Sequence, residues 1–177
     1  MTRKVILFIA TSIDGYIADQ DGGVGWLETA TEMVEEDNSY EFFYQEVDTV
    51  ILGRTTYDQV VNELSPGNYP YSDVTSYVLT SRETADVDSV HFTSQSVVDL
   101  VKKLKVEDGG NIWIVGGSTV VMPLVEENLI DEYQLSTMPV ILGQGISLFQ
   151  KMPESVSLRT GNIRLKNGIV ATTYYKK

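Results

Sequence analysis

Three short stretches carry residue types suited to holding an anion: Gly53-Arg54-Thr55-Thr56, Ser81-Arg82 and Gly116-Gly117-Ser118-Thr119. Each follows an apolar, largely β-branched run, namely Thr49 to Leu52, Ser76 to Thr80 and Ile112 to Val115. Such runs form strands buried on both faces, as in parallel sheets. Helical spacing resumes after the first and third. A strand that ends in glycine and opens a helix points free N–H groups and the positive end of the helix dipole outward, which favours phosphate. In an open parallel sheet, ligands bind in the crevice beyond the carboxyl ends of the strands. Two such helix starts with threonine hydroxyls, joined by Arg54 and Arg82, put three anion-binding elements on one rim. A dinucleotide with an extra phosphate needs about that many. Taken singly, Gly-Gly is also an ordinary turn, Arg54 also serves to neutralise nearby carboxylates, and Arg82 reads equally as a surface residue. Neither G-x-G-x-x-G nor G-x-x-x-x-G-K-[ST] is present, so Rossmann and P-loop sites are not supported.

The elements that must position these residues alternate along the chain. Lys4 to Thr11 reads as a buried first strand, and Asp14-Gly15 interrupts it too early for a secretory leader. Ser12 to Gly25 is a turn-rich loop in which Asp14-Gly15 is either a hairpin turn or part of a longer connection, with Trp26 and Leu27 as an apolar anchor. The spacing predicts a helix over 31–46, capped by Thr31, with Met33, Val34, Tyr40, Phe43, Tyr44 and Val47 on one face. A helix follows Gly53 to about Asn62. A short strand spans Val90 to Thr93, and a helix over 95–104 turns Val97, Val98, Val101 and Leu104 inward. After the Gly116-Gly117 turn, a helix runs to Glu127, and Pro123 requires a late start or a kink. Glu132 to Met138 is a strand, Pro139 to Gly145 a loop, and strands over 156–165 and 169–175 are joined by an Asn167-Gly168 hairpin turn. The expected fold is α/β in three layers, with a mostly parallel mixed sheet and a C-terminal antiparallel hairpin, in one domain over 1–177.

Composition excludes several classes. The 177 residues contain no cysteine and a single histidine, which rules out disulfides, thiolate metal sites and a cysteine nucleophile. No apolar run approaches the roughly 20 residues of a membrane span, and a cytoplasmic location is expected. Net charge is -12, concentrated in residues 5–81, where fourteen acids face one base, Arg54. Nucleic acid and anionic membranes are poor partners for that surface, because binding them depends on Lys and Arg.

The run Ser12-Ile13-Asp14-Gly15-Tyr16-Ile17-Ala18, with Gly53-Arg54-Thr55-Thr56-Tyr57, Leu79-Thr80-Ser81-Arg82 and Val115-Gly116-Gly117, resembles the dihydrofolate reductase superfamily. The Ser-x-Asp-Gly form is most similar to the reductase domain of bacterial riboflavin biosynthesis and its single-domain relatives. The motifs match in order over almost the whole chain. The resemblance implies NADPH as cofactor and a homodimer. It places Gly116 and Gly117, with a cis bond between them, and Ser118 and Thr119 against the pyrophosphate. Gly53, Arg54, Thr55 and Thr56 match the helix start that holds adenosine-side phosphates, and Ser81 and Arg82 match the partner of the 2′-phosphate. Ala10 and Ile17 match positions that hold the nicotinamide carboxamide, and Asp14 belongs to the loop that closes over that ring. The acid that orients substrate in the family lies sixteen residues before the Gly-Arg, which is Asp37, with Ser136 supporting it. Asp37 is otherwise one more solvent-facing acid.

The function implied is NADPH-dependent reduction of a small heterocyclic or carbonyl compound. The nearest named activity is 5-amino-6-(5-phosphoribosylamino)uracil reductase, followed by dihydrofolate reduction. A non-catalytic NADPH-binding or sensing module is the alternative of another class. Residues 55–81 contain no Lys or Arg to hold a substrate carboxylate or phosphate, so the expected substrate is a small molecule that is not polyanionic. The motifs of the zinc deaminase that accompanies the riboflavin enzyme, H-x-E and P-C-x-x-C, do not occur in these 177 residues.

Overall fold

The computed structural model describes residues 3–30 and 36–177. Eight strands form one sheet in the order β5 (Val90–Thr93), β4 (Thr75–Leu79), β3 (Val47–Gly53), β6 (Asn111–Gly116), β1 (Val5–Thr11), β7 (Glu132–Thr137), β10 (Ile169–Lys176) and β9 (Leu158–Lys166). The first six are parallel, and β10 and β9 close the edge antiparallel. Val5, Leu7, Ile51, Ile112 and Ile114 face one helical layer. That layer is α4 (Val97–Leu104) and α5 (Ser118–Glu126), which contribute Leu100, Val101, Leu104, Val121 and Leu124. Ile6, Val50, Leu52, Val78 and Trp113 face the other side, where Phe43 of α2 (Ser39–Tyr44) and Tyr57 of α3 (Arg54–Gln59) pack. Both faces of the central strands are therefore buried, which is why they read as continuous apolar runs rather than alternating ones. The mostly parallel mixed α/β sheet and the C-terminal hairpin are as expected. Asn167 and Gly168 at its tip have φ of 51° and 77°, the left-handed pair that a two-residue turn requires.

Several elements differ from the sequence expectation. Of the helix expected over 31–46, Ser39–Tyr44 is helical and 36–38 are not; Thr31, Met33 and Val34 lie outside the described residues. Phe43 is buried there, while Tyr40 and Phe42 are exposed. Trp26 to Thr29 form a single helical turn, α1. Tyr16–Ala18 and Ile146–Ser147 are short strands, β2 and β8, paired with each other in a second sheet. Asp14-Gly15 is thus not the turn of a hairpin between adjacent strands of one sheet. Helix α3 passes into a π-helical turn over Val60–Leu64. Pro123 sits within α5, which starts directly after Gly117 and continues past the proline to Glu126. In α4, Leu100 rather than Val98 is fully buried, and Ser96 caps the helix by accepting from the Asp99 N–H at 3.1 Å.

Two polar clusters hold the layers in register. Arg3 is 5% exposed, and its guanidinium pairs with Asp48, donates to Thr49 Oγ1 at 2.6 Å and to the Gly110 carbonyl at 2.9 Å. Asp48 also accepts from the Gly110 N–H at 2.6 Å. A Cβ at Gly109 would collide with both charged side chains. Glycine here lets the turn before β6 close over the pair, which fixes β6 against β3. Asp48→Ala leaves a buried cation short of its partner and should lower the unfolding free energy by about 2–3 kcal/mol in urea; an unchanged midpoint would refute this role.

Asp14 is the second cluster. Its carboxylate accepts from Ser12 Oγ at 2.6 Å, Gly143 N at 2.7 Å and Leu142 N at 3.1 Å. The loop after β1 is thereby tied to the loop before β8. Ser12's hydroxyl, followed by the two N–H groups, holds the Asp14 carboxyl below its ordinary value of 3.8. A depressed folded-state value stabilises the fold above pH 3.8, and that contribution is lost as pH falls through the lowered value. Asp14→Asn should therefore reduce the melting temperature at pH 7, and the difference from wild type should shrink progressively as the pH is taken below 3.8.

Candidate active site

Because β3 and β6 are adjacent and parallel, Gly53 and Gly116 end them side by side, with Leu52 opposite Gly116. From there α3 leaves along one face of the sheet and α5 along the other. Neither helix has a side-chain cap: Gly53 and Gly117 occupy the N-cap positions in extended conformations. Their first N–H groups therefore remain open at the rim, both next to the same crevice. The Gly116–Gly117 peptide bond is cis, as the resemblance implies, and Gly116 has φ of 124°.

The crevice is a cleft of about 760 Å³. Its walls include Ala10, Ile17, Gly53, Arg54, Thr55, Thr56, Ser81, Arg82, Gly117, Ser118 and Thr119. Eleven of the twelve residues read as cofactor-binding are thus brought together. The twelfth, Gly116, is buried behind the rim and shapes it through the backbone.

The two arginines differ in commitment. Arg54 Nε donates to Asp58 at 2.8 Å, its Nη1 donates to Thr84 Oγ1 at 3.1 Å, and its guanidinium lies 5.4 Å from the Phe92 ring centroid. It is held in a fixed orientation and half neutralised. Arg82 is exposed, and among the described residues its guanidinium has no carboxylate partner. A cation left free beside open N–H groups is suited to a dianionic phosphate. Ser118 is 4% exposed and its hydroxyl accepts from Gln150 Nε2 at 3.3 Å, so its N–H rather than its side chain is available.

The three residues read as catalytic lie elsewhere. Asp14 is the tie between loops described above. Asp37 is gripped by Arg164 of β9, at 3.1 and 3.2 Å to its two oxygens, and accepts from the Ser39 N–H at 3.0 Å. Burial alone would raise its pKa, but the Ser39 contacts and the Arg164 charge outweigh that and hold it low. Ser136 stands beside Ala10 in the pairing of β7 with β1. None of the three is among the residues lining the cleft.

The remaining walls were not legible as a site. Val24, Leu27 and Tyr71 also line the cleft, Val60 and Leu64 line it from the π-helical turn that follows α3, and β8 contributes Ile146. Gln59 docks the loop before α1 by donating to the Gly22 carbonyl at 2.9 Å. Asp19 shapes that loop by accepting from the N–H groups of Asp21 and Gly23. The Val60-Val61 and Leu64 positions gave an apolar signal, yet nothing local distinguishes a cleft wall from core. Among the described residues no group of acids and histidine could hold a metal ion, and no helix is long and apolar enough to cross a membrane.

Known proteins bear on this geometry. Residues 3–170 match the family model described as the RibD C-terminal domain. The uncharacterized protein YwjB of Bacillus subtilis (strain 168) is 44% identical over 160 residues, 90% of each chain. A structure of a putative riboflavin biosynthesis protein from Shewanella sp. PV-4 superposes with a TM-score of 0.87 at 30% identity, covering 100% of this chain and 99% of that one. The dihydrofolate reductase of Enterococcus faecalis, complexed with NADP(H), superposes at 0.65 with 21% identity, covering 100% and 99%. This chain therefore belongs to the RibD C-terminal domain family, built on a dihydrofolate reductase-like fold.

Proposed function

We propose that the protein is an NADPH-dependent reductase of a small, uncharged heterocyclic or carbonyl compound. The observation that carries this is the cleft itself: two uncapped helix starts, a free Arg82 and the Ala10–Ile17 wall all face one cavity. Their donor set fits a dinucleotide bearing a 2′-phosphate. The N–H groups at Thr55, Thr56, Ser118 and Thr119 would take the bridging phosphates, Arg82 the 2′-phosphate, and Ile17 and Ile146 would cover the ring. The cofactor supplies a hydride and becomes NADP⁺, while water supplies the proton that completes reduction of a C=O or C=N bond. The protein's share is to hold both partners in line and to exclude water through the β2–β8 wall. That Enterococcus dihydrofolate reductase binds NADP(H) on this fold supports the cofactor reading.

With Asp37 committed to Arg164 and Asp58 to Arg54, no carboxylate in the cleft among the described residues is free to deliver a proton. The same fact favours a second reading, a module that binds NADPH without turning it over. Substrates with phosphate or several carboxylates fit neither reading, because residues 55–81 supply no base. A phosphorylated aminouracil or dihydrofolate should therefore be turned over poorly or not at all. Oxidation of NADPH at 340 nm with a panel of uncharged pterins, pyrimidines and quinones separates the readings: turnover supports the reductase, tight binding without any turnover the module.

Arg82→Ala should raise the dissociation constant for NADPH about tenfold and leave NADH within about twofold. Arg54→Ala should also weaken NADPH more than NADH, by a smaller factor, because Asp58 already takes up part of its charge. Equal losses for the two cofactors in both variants would remove these arginines from the 2′-phosphate.

A further inference from the structure

Beyond the ends of β3 and β6 the cleft continues into a region with no group that binds anions. Val24 and Leu27 line it from the segment around α1, Val60 and Leu64 from the π-helical turn, and Tyr71 from the approach to β4. Tyr71 is the aromatic side chain among the lining residues, and it is 8% exposed. Its ring is fixed edge-on against Trp113 and Tyr69, with centroids 5.3 and 5.4 Å away. Trp113 is itself anchored by its indole N–H to the Phe8 carbonyl at 3.0 Å. Burial, followed by the neighbouring Tyr40 and Tyr69, pushes the Tyr71 phenol well above its ordinary value, so it remains an O–H donor at any working pH.

Neighbouring tyrosines have found partners. Tyr69 donates to Ser76 Oγ at 2.9 Å and Tyr44 to Asp73 at 2.6 Å. Among the described residues the Tyr71 hydroxyl has none, although the side chain is buried and lines the cavity. Its oxygen is not sealed from solvent, so it is a donor open to the cleft, and an acceptor on a bound molecule would take the place of water there. No lysine or arginine lines this end, so a carboxylate or phosphate placed here would lose its water without gaining a counter-charge.

We infer that this end of the cleft is a substrate subsite for a flat, uncharged, largely apolar compound, and that the Tyr71 hydroxyl orients it by donating to its carbonyl oxygen or ring nitrogen. The inference rests on the reductase reading only in taking that occupant to be the compound reduced. In reduction, the carbon next to the acceptor atom gains the hydride, the acceptor gains a proton from water, and NADPH leaves as NADP⁺. A fixed phenol stabilises the charge that gathers on the acceptor before that proton arrives.

Calorimetric titration of the NADP⁺-saturated protein with 1,4-naphthoquinone and with its 2-sulfonate tests this. The chain has no cysteine for the quinone to modify. The neutral quinone should bind saturably and the sulfonate at least tenfold more weakly. Tyr71→Phe should weaken the neutral quinone about five- to tenfold and leave NADP⁺ binding unchanged. Leu64→Arg, at a wall position that is 54% exposed, should reverse the preference toward the sulfonate. Equal quinone affinity in wild type and Tyr71→Phe, equal affinity of wild type for the two probes, or no quinone binding would each overturn the inference. Binding as expected with no NADPH oxidation would instead remove the reductase reading and leave the recognition role of Tyr71 standing.

Discussion

The close approach of β3 and β6 at their carboxyl ends governs the geometry of the cleft. A Cβ on Gly53 would stand 3.3 Å from Val120 Cγ2 and 3.9 Å from the Gly116 carbonyl oxygen, and Gly116 needs a φ that side chains disfavour. Glycine at both ends lets two buried strands finish level with one another. The helices that follow must then leave on opposite faces, because each has its own apolar stripe to cover. Their N-termini meet at the gap, with Gly117 beside the hydroxyl of Thr56. An anion site at this point is a consequence of strand packing and needs no dedicated basic pocket. This explains how a chain of net charge -12 carries such a site.

Much of this architecture was legible because its causes are local. Apolar runs such as Ile112 to Val115 declare central strands, Asn167-Gly168 declares a hairpin, and glycine before threonine or serine declares a helix start. What could not be read depends on contacts distant in sequence. β2 exists because β8 pairs with it, and Asp14 is held by N–H groups 128 and 129 residues away. No spacing rule connects those segments. Tyr71 lies between Pro70 and Ser72 in what reads as an ordinary loop, and only the packing of Trp113 against it shows a fixed ring rather than a surface one.

Asp37 illustrates a different limit. Counting back from Gly53 locates an acid, and the residue is partly buried and ionised as a functional carboxylate would be. Its partner is the informative part. Arg164 comes from β9, near the end of the chain, and Lys166 of the same strand donates to the Glu36 carbonyl. The C-terminal hairpin thus supplies cations to a segment where the sequence places acids alone. A census of residues 5–81 overstates the negative charge there, since bases from elsewhere in the chain are folded onto it.

The corrected charge distribution sharpens the contrast between the two ends of the cleft. Arg164 and Lys166 are occupied by segment 36–39, so they do not line the cavity and do not compensate for its missing bases. At the strand ends, backbone N–H groups and Arg82 supply positive potential over a few ångströms, and in ordinary salt that potential fades within about 10 Å. Past it, Val24, Leu27, Val60 and Leu64 offer only apolar contact, and Tyr71 offers one neutral donor. Two ligands of opposite character can therefore occupy one continuous cavity, an anionic one anchored at the rim and an uncharged one beyond it. Discrimination at the apolar end follows from what a charged group would lose there, since no residue need repel it.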